Sequence, residues 1–195
     1  MPRKSPRNLL EVNRRLRQEL QEATERAKRD EVTGLYRRWY LIDCIEKAIN
    51  ALSKGLRSDD IHLGDSPTPA RRPVFIMLDI KNFSQFNDLP EGEVAGDVAL
   101  QQVGSAMKKM LREGDKLGRI GGDEFGLWLP AMTPDAVRVR IDEMNRSLAE
   151  EDERLSLYFS FCFFESGMDF QELYRAAAAA LRNHKRAEKA ASSPP

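Results

Sequence analysis

The stretch Lys116-Leu117-Gly118-Arg119-Ile120-Gly121-Gly122-Asp123-Glu124-Phe125-Gly126-Leu127-Trp128-Leu129 decides how the rest of the chain is read. Two apolar segments, Lys116 to Ile120 and Phe125 to Leu129, flank Gly121-Gly122-Asp123-Glu124. That pattern predicts a β-hairpin with a four-residue connection. Glycines at the turn remove side chains and let a ligand approach the backbone. Asp123 and Glu124 follow at once, so two acids ride on a rigid element. In isolation Gly-Gly-Asp is ordinary turn chemistry, and its meaning depends on what the fold brings beside it.

Upstream, Val74-Phe75-Ile76-Met77-Leu78 is wholly apolar and ends in Asp79, as expected of a central buried strand. A carboxylate at the end of such a strand is costly unless it is paired or binds a cation. Placed beside the hairpin, Asp79 and Asp123 converge at one sheet edge. Converging carboxylates without histidine or cysteine suit a hard, oxygen-seeking ion, Mg²⁺ or Mn²⁺. Such open sites complete their shell with substrate phosphates, which points to phosphoryl or nucleotidyl transfer. No Gly-x-x-x-x-Gly-Lys-Ser/Thr loop is present, so a P-loop enzyme is excluded.

Around this centre the chain alternates helix and strand. Leu9, Val12, Leu16, Leu20, Ala23 and Ala27 form one narrow seam, predicting an amphipathic helix within a basic arm, residues 1–29. It fits either a short coiled coil or a helix lying on the domain. Residues 1–30 carry nine Lys/Arg against five Asp/Glu. No aromatic side chain interleaves with these charges, which weakens a nucleic-acid role. Further helices are predicted at about Arg37–Ser53, with Trp39, Ile42, Ile45, Ile49 and Leu52 buried, and at Val94–Leu111, Pro134–Leu148 and Phe170–Ala190. Leu155–Phe164 reads as a strand. Residues 54–73, with glycines and prolines, read as a flexible insertion or lid, and 191–195 as a disordered tail. The expected class is α/β, an α+β sandwich of helices around a mixed sheet.

The 195 residues carry 31 basic and 31 acidic side chains, 32% charged and 41% hydrophobic, as in a globular domain plus an arm. The longest apolar runs fall far short of a membrane span, and no secretion leader is visible. Cys44 and Cys162 lie in apolar stretches and read as reduced core residues of a cytoplasmic protein. With His62 and His184 alone available as partner base, a catalytic cysteine is not expected.

Gly121-Gly122-Asp123-Glu124-Phe125 resembles the defining motif of GGDEF domains, the diguanylate cyclases that condense two GTP into cyclic di-GMP. The resemblance covers about residues 30–190. Asp30-Glu31-Val32-Thr33-Gly34-Leu35 is similar to the family's opening motif, and Asp79-Ile80, Phe83, Asn87-Asp88 and Gly96-Asp97 to its central block. Arg119 precedes the glycines as usual in the family. The resemblance implies a palm-like central sheet. It also implies that Asp79, the Ile80 carbonyl and Asp123 hold Mg²⁺ (or Mn²⁺), with Asp123 and Glu124 catalytic. Asn87 and Asp97 are then expected on guanine, Gly121 and Gly122 beside the substrate, and Lys185 and Lys189 on the triphosphate. Arg112-x-x-Asp115 resembles the family's inhibitory product site. Expected partners are GTP, cyclic di-GMP and a second copy of the chain, because each protomer holds only one GTP.

Several positions depart from the family pattern: Lys81 replaces an acidic residue, Ser84 a phosphate-contacting lysine, and Lys189 an arginine. The bidentate fork of arginine is thereby lost at position 189. Metal and guanine positions persist while part of the phosphate grip changes, which points to slow turnover. Two readings follow, an active cyclase with product inhibition, or a catalytically weak receptor that binds cyclic di-GMP through Arg112 and Asp115.

Overall fold

Strand β2 (Arg72–Ile80) runs through the middle of the molecule, and both of its faces are covered. A computed structural model describes residues 6–54, 71–90 and 92–192. The elements follow as α1 (Pro6–Ala27), β1 (Tyr36–Arg37), α2 (Arg38–Ser53), β2, α3 (Ser84–Asn87), α4 (Glu93–Lys109), β3 (Lys116–Gly121), β4 (Glu124–Met132), α5 (Pro134–Glu151), β5 (Leu157–Phe163) and α6 (Phe170–Ser192). Five strands form one mixed sheet in the order β1-β3-β4-β2-β5, parallel only at β1–β3.

The alternation of β2 explains its unbroken apolar run. Val74, Ile76, Leu78 and Ile80 face Leu100, Val103 and Met107 of α4 and Ile141, Met144 and Leu148 of α5 in one core cluster. Phe75 and Met77 face Leu41, Ile45 and Ile49 of α2 and Leu173, Ala177 and Leu181 of α6 in the other. Asp79 continues this second row, so the strand aims it at the α6 layer. Helix α5 starts where Thr133 caps it, accepting from the Ala136 N–H at 3.2 Å, with Pro134 in its first turn.

Several expectations are corrected. The hairpin connection has two residues, not four: Gly121 pairs with Glu124 across a bulge, and only Gly122 and Asp123 form the turn. Gly122 takes φ +51°, a left-handed conformation that favours glycine. Trp39 is 54% exposed and stacks edge-on against Tyr40, while Leu41 takes the buried place. Four-residue spacing through Leu41, Ile45 and Ile49 faces the sheet, which rotates the buried stripe away from Trp39. On α4, Ala99 rather than the exposed Val98 faces the core. Cys44 and Cys162 are free but only half-buried, at the core margin.

Strand β2 begins at Arg72, so the end of the expected insertion belongs to the sheet; residues 55–70 and His62 lie outside the described residues. Helix α6 continues to Ser192, because Ala190 and Ala191 are strong helix formers, and residues 193–195 lie outside the described residues. From Leu10 to Ala27 every side chain of α1 is exposed, so the helix does not lie on the domain.

Where β1, β3 and α2 meet, Gly118 leaves no room for a side chain. A Cβ there would stand 2.7 Å from the Tyr36 carbonyl oxygen and 3.0 Å from Leu41 Cβ. Gly118→Ala is expected to cost about 1–3 kcal/mol, read as a lower urea midpoint. Gly121→Ala meets nothing within 4 Å and serves as the control, with stability within about 0.5 kcal/mol of wild type.

Candidate active site at the hairpin edge

Sheet register brings the predicted acids together. Asp79 stands opposite Glu124 on β4 and opposite Tyr158 on β5. One residue on, the Ile80 N–H donates to the Asp123 carbonyl oxygen at 3.3 Å, which seats the turn beside the end of β2. Directly opposed residues of antiparallel strands share a face, so Asp79, Glu124 and Tyr158 look toward α6. Asp79 is 4% exposed, whereas Asp123 and Glu124 are half-buried.

Asp79 accepts from the Lys185 ammonium. Burial pushes the Asp79 carboxyl above its usual range, the Lys185 hydrogen bond opposes this, and the charges of Asp123 and Glu124 reinforce it. The lysine reaches Asp79 because α6 extends its buried stripe, Leu173, Ala177 and Leu181, by one more four-residue step to position 185. Lys189 lies a further turn along, exposed.

These groups fit a hard divalent ion. The donors are carboxylates and a backbone carbonyl, all oxygen, and the ammonium on Asp79 marks where positive charge is demanded. Among the described residues no three His, Cys, Asp or Glu side chains form a complete metal cage.

Asn87 and Asp97 come from adjoining helices. Asn87, exposed, ends α3, and Gly92 turns the chain into α4 with φ +50°. Gly96 then passes so close beneath that an added Cβ would overlap Asn87 Oδ1 and sit 3.3 Å from the Phe83 ring. Asp97, half-buried, is the next residue.

Gly121 and Gly122 are exposed, with open space where side chains would stand. The turn is tied to the arm junction: Arg119 Nε donates to the Gly122 carbonyl at 2.8 Å, and Arg119 Nη1 pairs with Asp30 at 3.2 Å. Asp30 also accepts from the Thr33 N–H at 2.9 Å and the Thr33 hydroxyl at 2.8 Å. Burial pushes the Asp30 carboxyl up, but the Thr33 bonds and Arg119 outweigh it, and the net shift is downward. A depressed acid stabilises the fold above its ordinary range, and that contribution is lost as pH falls through the depressed value. Asp30→Asn should therefore cost about 1–2 kcal/mol at pH 7 and progressively less below about pH 4. Urea unfolding at the two pH values checks this; an equal gap at both would show that charge is not the cause.

The Arg112/Asp115 pair is not presented as expected. Asp115 turns inward, its carboxylate accepting from Arg140 at 2.6 Å and from the Arg112 N–H at 2.8 Å. The side chains of Arg140 and Asp115 are only 6% and 4% exposed. An internal arginine claims the acid, and Arg112 alone of the pair reaches the surface. Sequence reasoning missed Arg140, which sits on α5, and Tyr158. The alternation of β5 against Asp79 is the signal that finds Tyr158.

The chain resembles known proteins along most of its length. The profile described as "Diguanylate cyclase, GGDEF domain" matches residues 27–191. YtrP of Bacillus subtilis is 32% identical over 166 residues, 83% of this chain and 25% of that protein. The diguanylate cyclase DgcP of Pseudomonas aeruginosa is 28% identical over 175 residues, 86% of this chain and 24% of that protein. The chain thus spans about a quarter of the length of these relatives. Among solved structures, the coiled coil and GGDEF domain of DgcB from Caulobacter crescentus, in complex with c-di-GMP, superposes with TM-score 0.75 at 22% identity. That match covers 92% of this chain and 91% of the other, and it shows the same fold. With the Gly-Gly-Asp-Glu-Phe hairpin beside the Asp79 strand and the profile matched from the arm junction to the end of α6, this chain belongs to the GGDEF family of diguanylate cyclases.

Proposed function

We propose that the chain is a diguanylate cyclase that joins two GTP into cyclic di-GMP and releases two pyrophosphates. One observation carries this reading: a buried Asp79, already paired with a cation, faces Glu124 and adjoins the Asp123 turn. Mg²⁺ or Mn²⁺, held by Asp79, Asp123 and the Ile80 carbonyl, would supply charge neutralisation at the α-phosphate. The chain's own groups do the rest. Asp123, supported by Glu124, takes the proton of the attacking 3′-hydroxyl. Asp97 accepts from guanine N1–H and the 2-amino group, and Asn87 completes the edge. Lys185 moves from Asp79 to the triphosphate, with Lys189 one turn beyond. Gly121 and Gly122 let the phosphates lie against the backbone.

Each protomer binds one GTP, so two must face each other before either hydroxyl reaches the opposing phosphorus. The exposed seam of α1, with Leu16 at 56% and Leu20 at 68%, supports a second copy as the partner. Arg112, exposed at the surface, is assigned to product binding, and Asp115 to holding the backbone of that loop. No described helix is long and apolar enough to cross a membrane, and a cytoplasmic site of action accords with GTP as substrate.

Incubating purified chain with GTP and Mg²⁺ is expected to yield cyclic di-GMP and pyrophosphate. Absence of product with either Mg²⁺ or Mn²⁺ at high protein concentration would overturn the enzyme. Cyclic di-GMP binding that is lost in Arg112→Ala would then favour the receptor reading, for which the exposed Arg112 is the supporting observation.

A further inference from the structure

Lys81 belongs to the same face as Asp79. It lies two residues further along, and its N–H donates to the Ser156 carbonyl at 2.8 Å, which carries the β2–β5 pairing past the end of the strand. Its ammonium pairs with Glu188 of α6 at 2.7 Å and stands 4.7 Å from the centroid of the Tyr158 ring. The Lys185 ammonium stands 5.8 Å from that same centroid and pairs with Asp79. The two ion pairs are therefore crossed. A lysine of α6 meets an acid of β2, a lysine just past β2 meets an acid of α6, and both ammonium groups stand near one aromatic ring.

We propose that Lys81 is a third triphosphate-holding residue of this site, beside Lys185 and Lys189, with Glu188 pairing its ammonium until a nucleotide arrives. The proposal rests on the reading of the site as a GTP site and adds a residue to it. Two ammonium groups around one ring repel each other unless each has an anion, and in the ligand-free chain Asp79 and Glu188 fill that role. A triphosphate brings up to about four negative charges to an edge that already holds Asp79, Asp123 and Glu124, more than Lys185, Lys189 and a divalent ion together balance. Lysine suits such an exchange, because its compact ammonium on a flexible stem accepts new partners without the fixed fork of arginine. The side chains of Lys81 and Glu188 are 27% and 37% exposed, so the pair is partly screened by solvent and opens at little cost.

The opposite signs expected for the two partners provide the test. Binding of the α,β-methylene analogue of GTP, with Mg²⁺, and of GMP is measured by calorimetry on the full chain. Lys81→Met should weaken the triphosphate analogue about tenfold and leave GMP unchanged, while Lys81→Arg retains most of the affinity. Glu188→Gln, which frees Lys81, should tighten the analogue about two- to threefold. Thermal melts of each variant confirm that the chain is folded. Lys81→Met and Glu188→Gln changing affinity in the same direction, or Lys81→Met weakening GMP and analogue equally, would mark the pair as structural and overturn the proposal. Wild-type affinity in Lys81→Met overturns the proposal alone and leaves the GTP site standing. Failure of the wild-type chain to bind either nucleotide overturns both.

Discussion

Asp79→Asn is expected to abolish cyclic di-GMP formation, lowering it at least about a hundredfold, without weakening the fold. Asparagine keeps the shape of the side chain and removes the charge that an ion at the α-phosphate requires. The stability half follows from the raised Asp79 carboxyl. The folded chain holds that proton more tightly than the unfolded chain does. This group's stabilisation is complete only below the ordinary carboxylate range and is lost as pH rises through the raised value. At neutral pH the buried carboxylate is thus a net cost that Lys185 offsets only in part. The variant should melt at or above the wild-type temperature in the absence of nucleotide while making no product. Asp123→Asn should match it in activity. Turnover within about tenfold of wild type in either variant would remove the pair from the reaction, and a clearly lower melting temperature for Asp79→Asn would make the Lys185 contact a structural one.

Gly96→Ala should damage nucleotide recognition while sparing the helix that carries it. A Cβ at this position overlaps Asn87 Oδ1, the mobile end of a side chain, and comes within 3.3 Å of the Phe83 ring. Asn87 is exposed at the end of a four-residue helix and can swing away cheaply. Alanine also favours the interior of α4 over glycine by about 1 kcal/mol. The fold should hold, with a urea midpoint at or near that of wild type. Affinity for GTP should nevertheless fall about tenfold, the worth of a lost hydrogen bond to a buried edge together with a displaced Asn87. The preference for GTP over ATP should shrink with it. Undiminished GTP affinity in a folded Gly96→Ala protein would take Asn87 out of the guanine site.

Much of this arrangement is local and therefore legible in the chain itself. A short unbroken apolar run ending in Asp79 reads as a strand covered on both faces, because each side of its alternation is apolar. The hairpin followed from two glycines between apolar segments, and α5 from Thr133 and Pro134 at its start. Pairing β2 with β4 then set Asp79 opposite Glu124 and the Asp123 turn beside Ile80. The family resemblance rested on these same residues and on Asn87, Gly96 and Asp97.

What the tertiary structure decided depends on contacts between residues far apart in the chain. Spacing alone could not place Trp39 outside and Leu41 inside, since both fit a helical stripe and only the sheet beneath chooses the rotation. Nor could Arg112-x-x-Asp115 reveal that Arg140, a full element away, turns the acid inward. Lys81 reads in sequence as a departure from a pattern. In the fold it becomes half of a crossed pair, because α6 packs against the sheet at β2 and β5 and sets Glu188 against Lys81 and Lys185 against Asp79. Local propensity and alternation determine where elements lie and which way they face, while the partner of each charge is settled only when distant elements pack, since a buried charge takes whichever opposite charge the packing leaves within reach.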